Sequence, residues 1–209
     1  MKSFFTVFWI LSLSLNVFLL SSSFTNAHAK TFQISKTKEF LGNRDQLKGI
    51  ILSYESYCKS GCKYMLSDVE EIKVLDRTNP NHFYIWTKIA GIRTFMYFSG
   101  IEIIESDGQT VIKLSTPKKE QIQYLKSKYA LEHVPLFSNN DASWTLTDKY
   151  RSDGTFAATL VHYQGKFTSN SLVVLAIADA VYNGLRNTAR DFFQALGPST
   201  GSNEEEVIQ

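Results

Sequence analysis

The sequence is short of the features that announce a chemistry. Its 209 residues include two cysteines and four histidines, and 22 basic side chains stand against 20 acidic ones for a formal net charge of +2. That balance offers no clustered positive field, so nucleic acid is not an expected partner and any membrane contact is expected to be transient. There is no G-x-S-x-G, no Walker loop and no Rossmann glycine fingerprint. This removes the usual hydrolase elbow, nucleotide hydrolysis and dinucleotide redox chemistry. His82, His133 and His162 are scattered without an H-x3-H pair or H-E-x-x-H, so neither a metal site nor a cofactor is expected. There are no internal repeats. What is present, 44% hydrophobic and 13% aromatic residues, is the composition of one globular domain, and a monomer is the simplest expectation.

A long apolar run occurs at the N terminus. Lys2 precedes apolar residues 4–20, followed by Ser21-Ser22-Ser23 and then Ala27-His28-Ala29, small residues at both positions that signal peptidase reads. The pattern predicts a signal peptide over 1–29, cleaved after Ala29. An uncleaved anchor is the alternative, since about 17 apolar-biased residues are at the short end of a bilayer span. The exported product, periplasmic or secreted, then consists of a domain at 30–198 and an acidic tail at 199–209 that reads as disordered. Cys58 and Cys62 form a C-x3-C pair with Gly61 between them. An oxidising compartment favours a small structural disulfide there, over metal binding, which needs more ligands, and over redox chemistry, which prefers C-x-x-C.

Periodicity divides the domain. Residues 31–35 alternate as a short strand, and 40–57 carry apolar residues at helical spacing. From 69 to 115 the period falls to two, with strands at 69–75, 82–89, 93–105 and 110–115 and a hairpin signal at Ser106-Asp107-Gly108-Gln109. Thr116-Pro117 opens a short helix marked by Ile122, Leu125 and Tyr129. Strands at 143–150 and 155–165 follow the polar loop 138–141 and are joined through Asp153-Gly154. Leu172, Leu175, Asp179, Tyr182, Leu185, Ala189, Phe192 and Leu196 then alternate steps of three and four. They predict one helix over 171–196, about 39 Å long, ended by Gly197-Pro198. The class is α+β: a curved antiparallel sheet that can bury its inner face only beneath helices, with a space between sheet and C-terminal helix.

This order of elements resembles the helix-grip fold of the START-like, or SRPBCC, superfamily, which includes polyketide cyclases and birch-pollen-allergen-like proteins. Ile92-Arg93-Thr94-Phe95-Met96 is similar to the family's Arg-Asp-Phe strand start, with Thr94 where the family usually has Asp. Trp144-Thr145-Leu146 resembles a Trp that opens a late strand, residues 158–163 the strand after it, and the helix after Phe167 the terminal lid. The resemblance implies a hydrophobic tunnel for a lipid or lipid-like molecule, with one or two polar side chains orienting its head group.

Candidates for that cavity are Tyr84, Trp86, Arg93, Phe95, Tyr97, Trp144, His162, Leu175, Asp179 and Tyr182. Strand parity puts Arg93, Phe95, Tyr97 and Ser99 on one face, the family's inward side. Arg93 either meets a carboxylate or ligand oxygen inside or lies in water at the strand mouth. The aromatic residues either line the cavity or are plain core. Asp179 either pairs across the cavity or drifts to solvent while Ala178 turns inward. His162 either serves as acid or base in a cyclase-like reaction or is structural. The function expected is binding, and possibly transport, of a hydrophobic small molecule. A cyclase- or lyase-type enzyme in the same cavity and an envelope interaction module are the alternatives.

Overall fold

The computed structural model describes the backbone of residues 29–76, 81–89, 93–130, 136–200 and 205–207, and the side chains of 29–75, 98–130 and 136–200. In chain order the elements are β1 (Lys30–Phe40), α1 (Arg44–Leu52), a 3-10 turn (Tyr54–Ser56), β2 (Tyr57–Cys58), β3 (Tyr64–Met65), β4 (Val69–Asp76), β5 (Asn81–Ile89), β6 (Arg93–Ser106) and β7 (Gln109–Ser115). They are followed by α2 (Lys119–Lys128), β8 (Asn139–Tyr150), β9 (Phe156–Ser169), α3 (Leu172–Ala176), α4 (Ala178–Ala195) and β10 (Glu205–Val207). One eight-stranded sheet runs β10-β1-β9-β8-β7-β6-β5-β4, and β2 pairs with β3 separately. Neighbours in the large sheet are antiparallel. Strand β1 therefore lies beside the last long strand, and the segment from α1 to β3 carries the chain to the far edge.

Pleating sends alternate residues to opposite faces. On one face, Ile101, Leu114, Ala142, Gly165 and Ile34 stand in register across five strands, and Ile103, Ile112, Trp144, Tyr163 and Lys36 form the next row. The main core gathers on this face: Phe32, Ile34, Ile112, Trp144, Leu146, Val161 and Phe167 pack with Leu47 and Ile51 of α1 and with Val181, Phe192 and Phe193 of α4. On the opposite face α2 covers a smaller cluster of Leu75, Phe98 and Leu125, where the Tyr129 hydroxyl donates to the Leu75 carbonyl. The arrangement is the α+β helix grip expected from the sequence.

Several boundaries differ from the sequence pattern. Strand β1 runs on to Phe40, which is fully buried, so the helix expected over 40–57 begins only at Arg44. Asn43 caps it, its side chain accepting from the Gln46 amide at 2.9 Å while Gln46 Oε1 accepts from the Asn43 amide at 3.2 Å. It ends at Leu52, and Tyr54 and Tyr57 turn into the core through the 3-10 turn and β2. Residues 139–141, expected in a loop, are ladder members of β8 because β9 extends to Ser169 and supplies partners such as Thr168 for Asn139.

The predicted single helix over 171–196 is two helices. Ile177 takes φ −119° and ψ 29°, and its amide is shared between the carbonyls of Val173 at 3.2 Å and Val174 at 3.3 Å. Val173, Val174 and Ile177 are β-branched, which disfavours a straight helical turn. The break rotates the buried stripe: Val174 and Val181 are buried, whereas Leu172 is exposed and Leu175 and Tyr182 are half-buried. Gly197, at φ +97°, ends the run as expected. The tail read as disordered contributes β10, which pairs Ser35 with Val207, Lys36 with Glu206 and Thr37 with Glu205. An unpaired β1 edge favours such a strand, and the Thr200 amide donating to Glu39 O at 3.1 Å keeps the chain beside it.

Candidate functional site

A hollow remains on the concave face beside Ala142. Ala142 and Gly165 are register partners in the middle of the sheet, and a Cβ on Gly165 would meet the Phe167 ring and the Tyr163 hydroxyl at 2.7 Å. These two side chains thus fold over the glycine and occupy the space that a side chain there would take, which positions both of them along the wall of the hollow. Its lining comes from Ser99, Leu114, Asn140, Ala142, Trp144, Tyr163 and Phe167 of the sheet, Tyr54 of the 3-10 turn, and Leu185, Thr188, Ala189 and Phe192 of α4. The space is about 50 Å³, against roughly 300–1,000 Å³ for a typical small-molecule site. The lipid-sized hollow implied by the family resemblance is therefore not open among the described residues. Trp144 stacks on Tyr163 at 4.6 Å between ring centroids and on Phe193 at 5.5 Å, filling the adjoining part of the grip.

The roof is fixed at one end. Asp191 of α4 is buried, and its Oδ2 accepts from both the amide and the hydroxyl of Ser67, at 2.8 and 2.6 Å. Arg190 donates to Oδ1 at 3.1 and 3.2 Å.

The polar groups of the pocket are neutral. Asn140 is 3% exposed. Its Nδ2 donates to the Phe98 carbonyl at 2.8 Å, and its backbone amide donates to the Thr116 hydroxyl at 2.6 Å. Since Nδ2 must be the donor to that carbonyl, the other atom is Oδ1. It is buried without a hydrogen-bond partner among the described residues. Burial pushes the phenols of Tyr163 and Tyr54 up, Tyr163 adding to the effect at Tyr54, so both stay protonated at neutral pH. No acid, base or thiol occurs among the described lining residues.

The predicted site residues are only partly brought together. Trp144 lines the pocket, as does Ser99 from the face expected to turn inward. Tyr84 and Trp86 stand in register opposite Phe98 and Met96, while Arg93, Phe95 and Tyr97 stand opposite Ile89, Thr87 and Ile85; the side chains of these five candidates lie outside the described residues. His162 is a correction: it pairs in register with Thr37 and Thr145, alternating with the inward Val161 and Tyr163, and bonds the Thr37 hydroxyl at 2.7 Å on the other face of the sheet. Asp179 is exposed, the solvent alternative considered for it, and neither it nor Leu175 lines the pocket. Tyr182 packs against the core edge beneath the Arg186 guanidinium, 5.9 Å from its ring centroid.

Asn140, Gly165, Leu185 and Thr188 were not among the candidates. Asn140 was hidden by its polar neighbours, although its even spacing with Ala142, Trp144 and Leu146 carries the signal. The alternation of Val161, Tyr163 and Phe167 with His162, Gln164 and Lys166 marks the inward set of β9 equally well.

Cys58 and Cys62 are joined in a disulfide. No helix among the described residues is long and apolar enough to cross a membrane, and no group of metal-ligating side chains occurs among them.

No family model and no curated protein matches the chain. Solved structures similar to it include a START superfamily protein from Mycobacterium smegmatis, at 14% identity over 79% of this chain and 94% of that one, with a TM-score of 0.48. Human STARD10 is similar at 11% identity over 78% and 62% of the two chains, with a TM-score of 0.49. Ara h 8.0201 is similar at 11% identity over 81% and 95%, with a TM-score of 0.45. The chain has a START-like helix-grip fold, an assignment carried by its strand order and by the helix across the concave face.

Proposed function

We propose that this protein is exported and binds a small, uncharged hydrophobic molecule, or the apolar part of a larger one, between α4 and the concave face of the sheet. The observation that carries this reading is Asn140 Oδ1, a buried acceptor without a hydrogen-bond partner among the described residues, in a neutral and largely apolar pocket. Such an atom costs about 1–3 kcal/mol unless a donor reaches it, and a ligand hydroxyl or amide supplies one. The neutral lining favours binding over acid–base catalysis, because no group there titrates near neutrality.

The hollow enlarges on loading. Leu185 and Thr188 lie between the break at Ile177 and the anchored Asp191, so this part of α4 lifts while the Ser67 contact holds the rest. Export is supported by the N-terminal pattern and by the disulfide, which fits an oxidising compartment. Lys30, the first residue of β1, is then the first residue of the mature chain.

Expression of the full chain in an exporting host tests both parts. N-terminal sequencing of the exported protein should begin at Lys30. Organic extraction followed by mass spectrometry should release close to one equivalent of an apolar compound per chain. An empty extract, together with no rise in melting temperature on adding toluene, benzyl alcohol or 1-dodecanol, would overturn the binding reading. Conversion of the extracted compound on incubation with fresh protein would replace it by the enzyme reading.

A further inference from the structure

A second concavity lies between β1 and α4. It measures about 430 Å³, and Lys36, Lys38, Arg186 and Arg190 line it with no acid among its described lining residues. Its apolar wall includes Ala189, which also lines the hollow under α4, and Ile34, which continues the Leu114–Ala142–Gly165 row. The cationic groove and the apolar hollow thus meet across a single alanine.

Lys36 is the unusual member. It is 8% exposed, and its Nζ lies 5.6 Å from the centroid of the Phe193 ring. An ammonium group held this deep is maintained by anionic partners as well as by a ring face. The chain carries an anionic segment to the same edge: residues 205 and 206 are glutamates, and β10 sets Glu206 in register opposite Lys36 and Glu205 opposite Thr37. With three residues, β10 is short enough to leave the edge by local opening.

We propose that this groove receives the anionic head, carboxylate or phosphate monoester, of an amphiphile whose alkyl part enters the hollow under α4, and that the glutamates of β10, Glu205 and Glu206, are its internal competitor. The proposal rests on the binding reading above and specifies the ligand class.

Calorimetric titration of the exported protein at low salt with dodecanoate, dodecyl phosphate, 1-dodecanol and inorganic phosphate tests it. Both anionic amphiphiles should bind at least tenfold more tightly than 1-dodecanol. Lys36→Met, and separately the exposed-side double variant Arg186→Gln/Arg190→Gln, should bring them to the alcohol's affinity. Deleting residues 204–209 should tighten the anions several-fold and leave the alcohol unchanged. A deletion without effect on the anions overturns the competitor role. Equal affinity for dodecanoate and 1-dodecanol, or inorganic phosphate binding as tightly as dodecyl phosphate, overturns the groove while leaving the hollow intact. Failure of every alkyl compound to bind overturns the binding reading as well.

Discussion

Asp191 and Ser67 lie 124 positions apart in sequence, yet one carboxylate oxygen of the aspartate accepts hydrogen bonds from both the amide and the hydroxyl of the serine. The pair ties the end of α4 to the turn before β4 and fixes the height of the roof at that point. Asp191→Ala leaves two donors without their acceptor and removes a buried charge-assisted contact. Loss of about 2–4 kcal/mol is expected in urea unfolding at neutral pH. Asp191→Asn, which keeps an oxygen, should lose less.

Gly165→Val should close the hollow indirectly, by driving the lining side chains of Tyr163 and Phe167 out of their present places. Its added carbons run into the Tyr163 hydroxyl and the Phe167 ring, and overpacking of this kind costs about 1–3 kcal/mol. Toluene, expected to raise the melting temperature of the wild type, should leave that of the variant unchanged, while its circular dichroism spectrum remains that of the parent.

Asn140→Leu removes the orphan acceptor and the bond to the Phe98 carbonyl together. Stability should fall by about 1 kcal/mol, since one satisfied contact is lost and one unsatisfied atom disappears. Wild type should prefer benzyl alcohol to toluene by roughly tenfold, equivalent to about 1.4 kcal/mol, and the variant should show no preference in calorimetry.

The pair Lys48 and Glu105, 2.8 Å apart, sets a modest pH dependence. Hydrogen bonds from Lys48 and Thr110 hold the Glu105 carboxyl below the ordinary range, while bonds to Glu105 and Asp45 raise the Lys48 ammonium above its own. The glutamate's contribution is complete above the ordinary carboxylate pKa and disappears as pH falls through its lowered value. The lysine's is complete below the ordinary lysine pKa and disappears as pH rises through its raised value. Both groups are solvated, so the pair contributes under about 1 kcal/mol. The stability difference between wild type and Glu105→Gln should shrink from pH 7 toward pH 3, and shrink again in 1 M salt.

Closing the short loop between Cys58 and Cys62 limits the unfolded chain only slightly. Cys58→Ser/Cys62→Ser should cost about 2 kcal/mol or less and leave ligand binding intact. A larger loss in urea unfolding would mean that the loop also holds Tyr57 and Tyr64, whose rings stack at 4.8 Å.

Local signals carried much of the fold. The hairpins at Gly108 and Gly154 adopt φ of +67° and +81°, where glycine is favoured, and the Cys58–Cys62 bridge agrees with the C-x3-C spacing. Strand ends were less legible, because Asn139 and Phe40 are extended through partners more than 20 residues away, Thr168 and Thr159 respectively. The break at Ile177 was concealed by a regular three-four spacing that its β-branched neighbours override. The site was the least readable part. Its floor depends on the side chain that Ala142 lacks and on the way Tyr163 and Phe167 fold over Gly165, and a hydropathy pattern registers what residues carry.

Because that floor is made by subtraction, its dimensions can be edited in single atoms without redirecting a strand. Each methyl group added at 142 takes volume from any guest, and trimming Phe192 or Leu185, which line the same hollow, returns it. Substitutions at these three sites could therefore produce a graded series of chambers on one unchanged frame, with guest size selected independently of the charged lip beside β1.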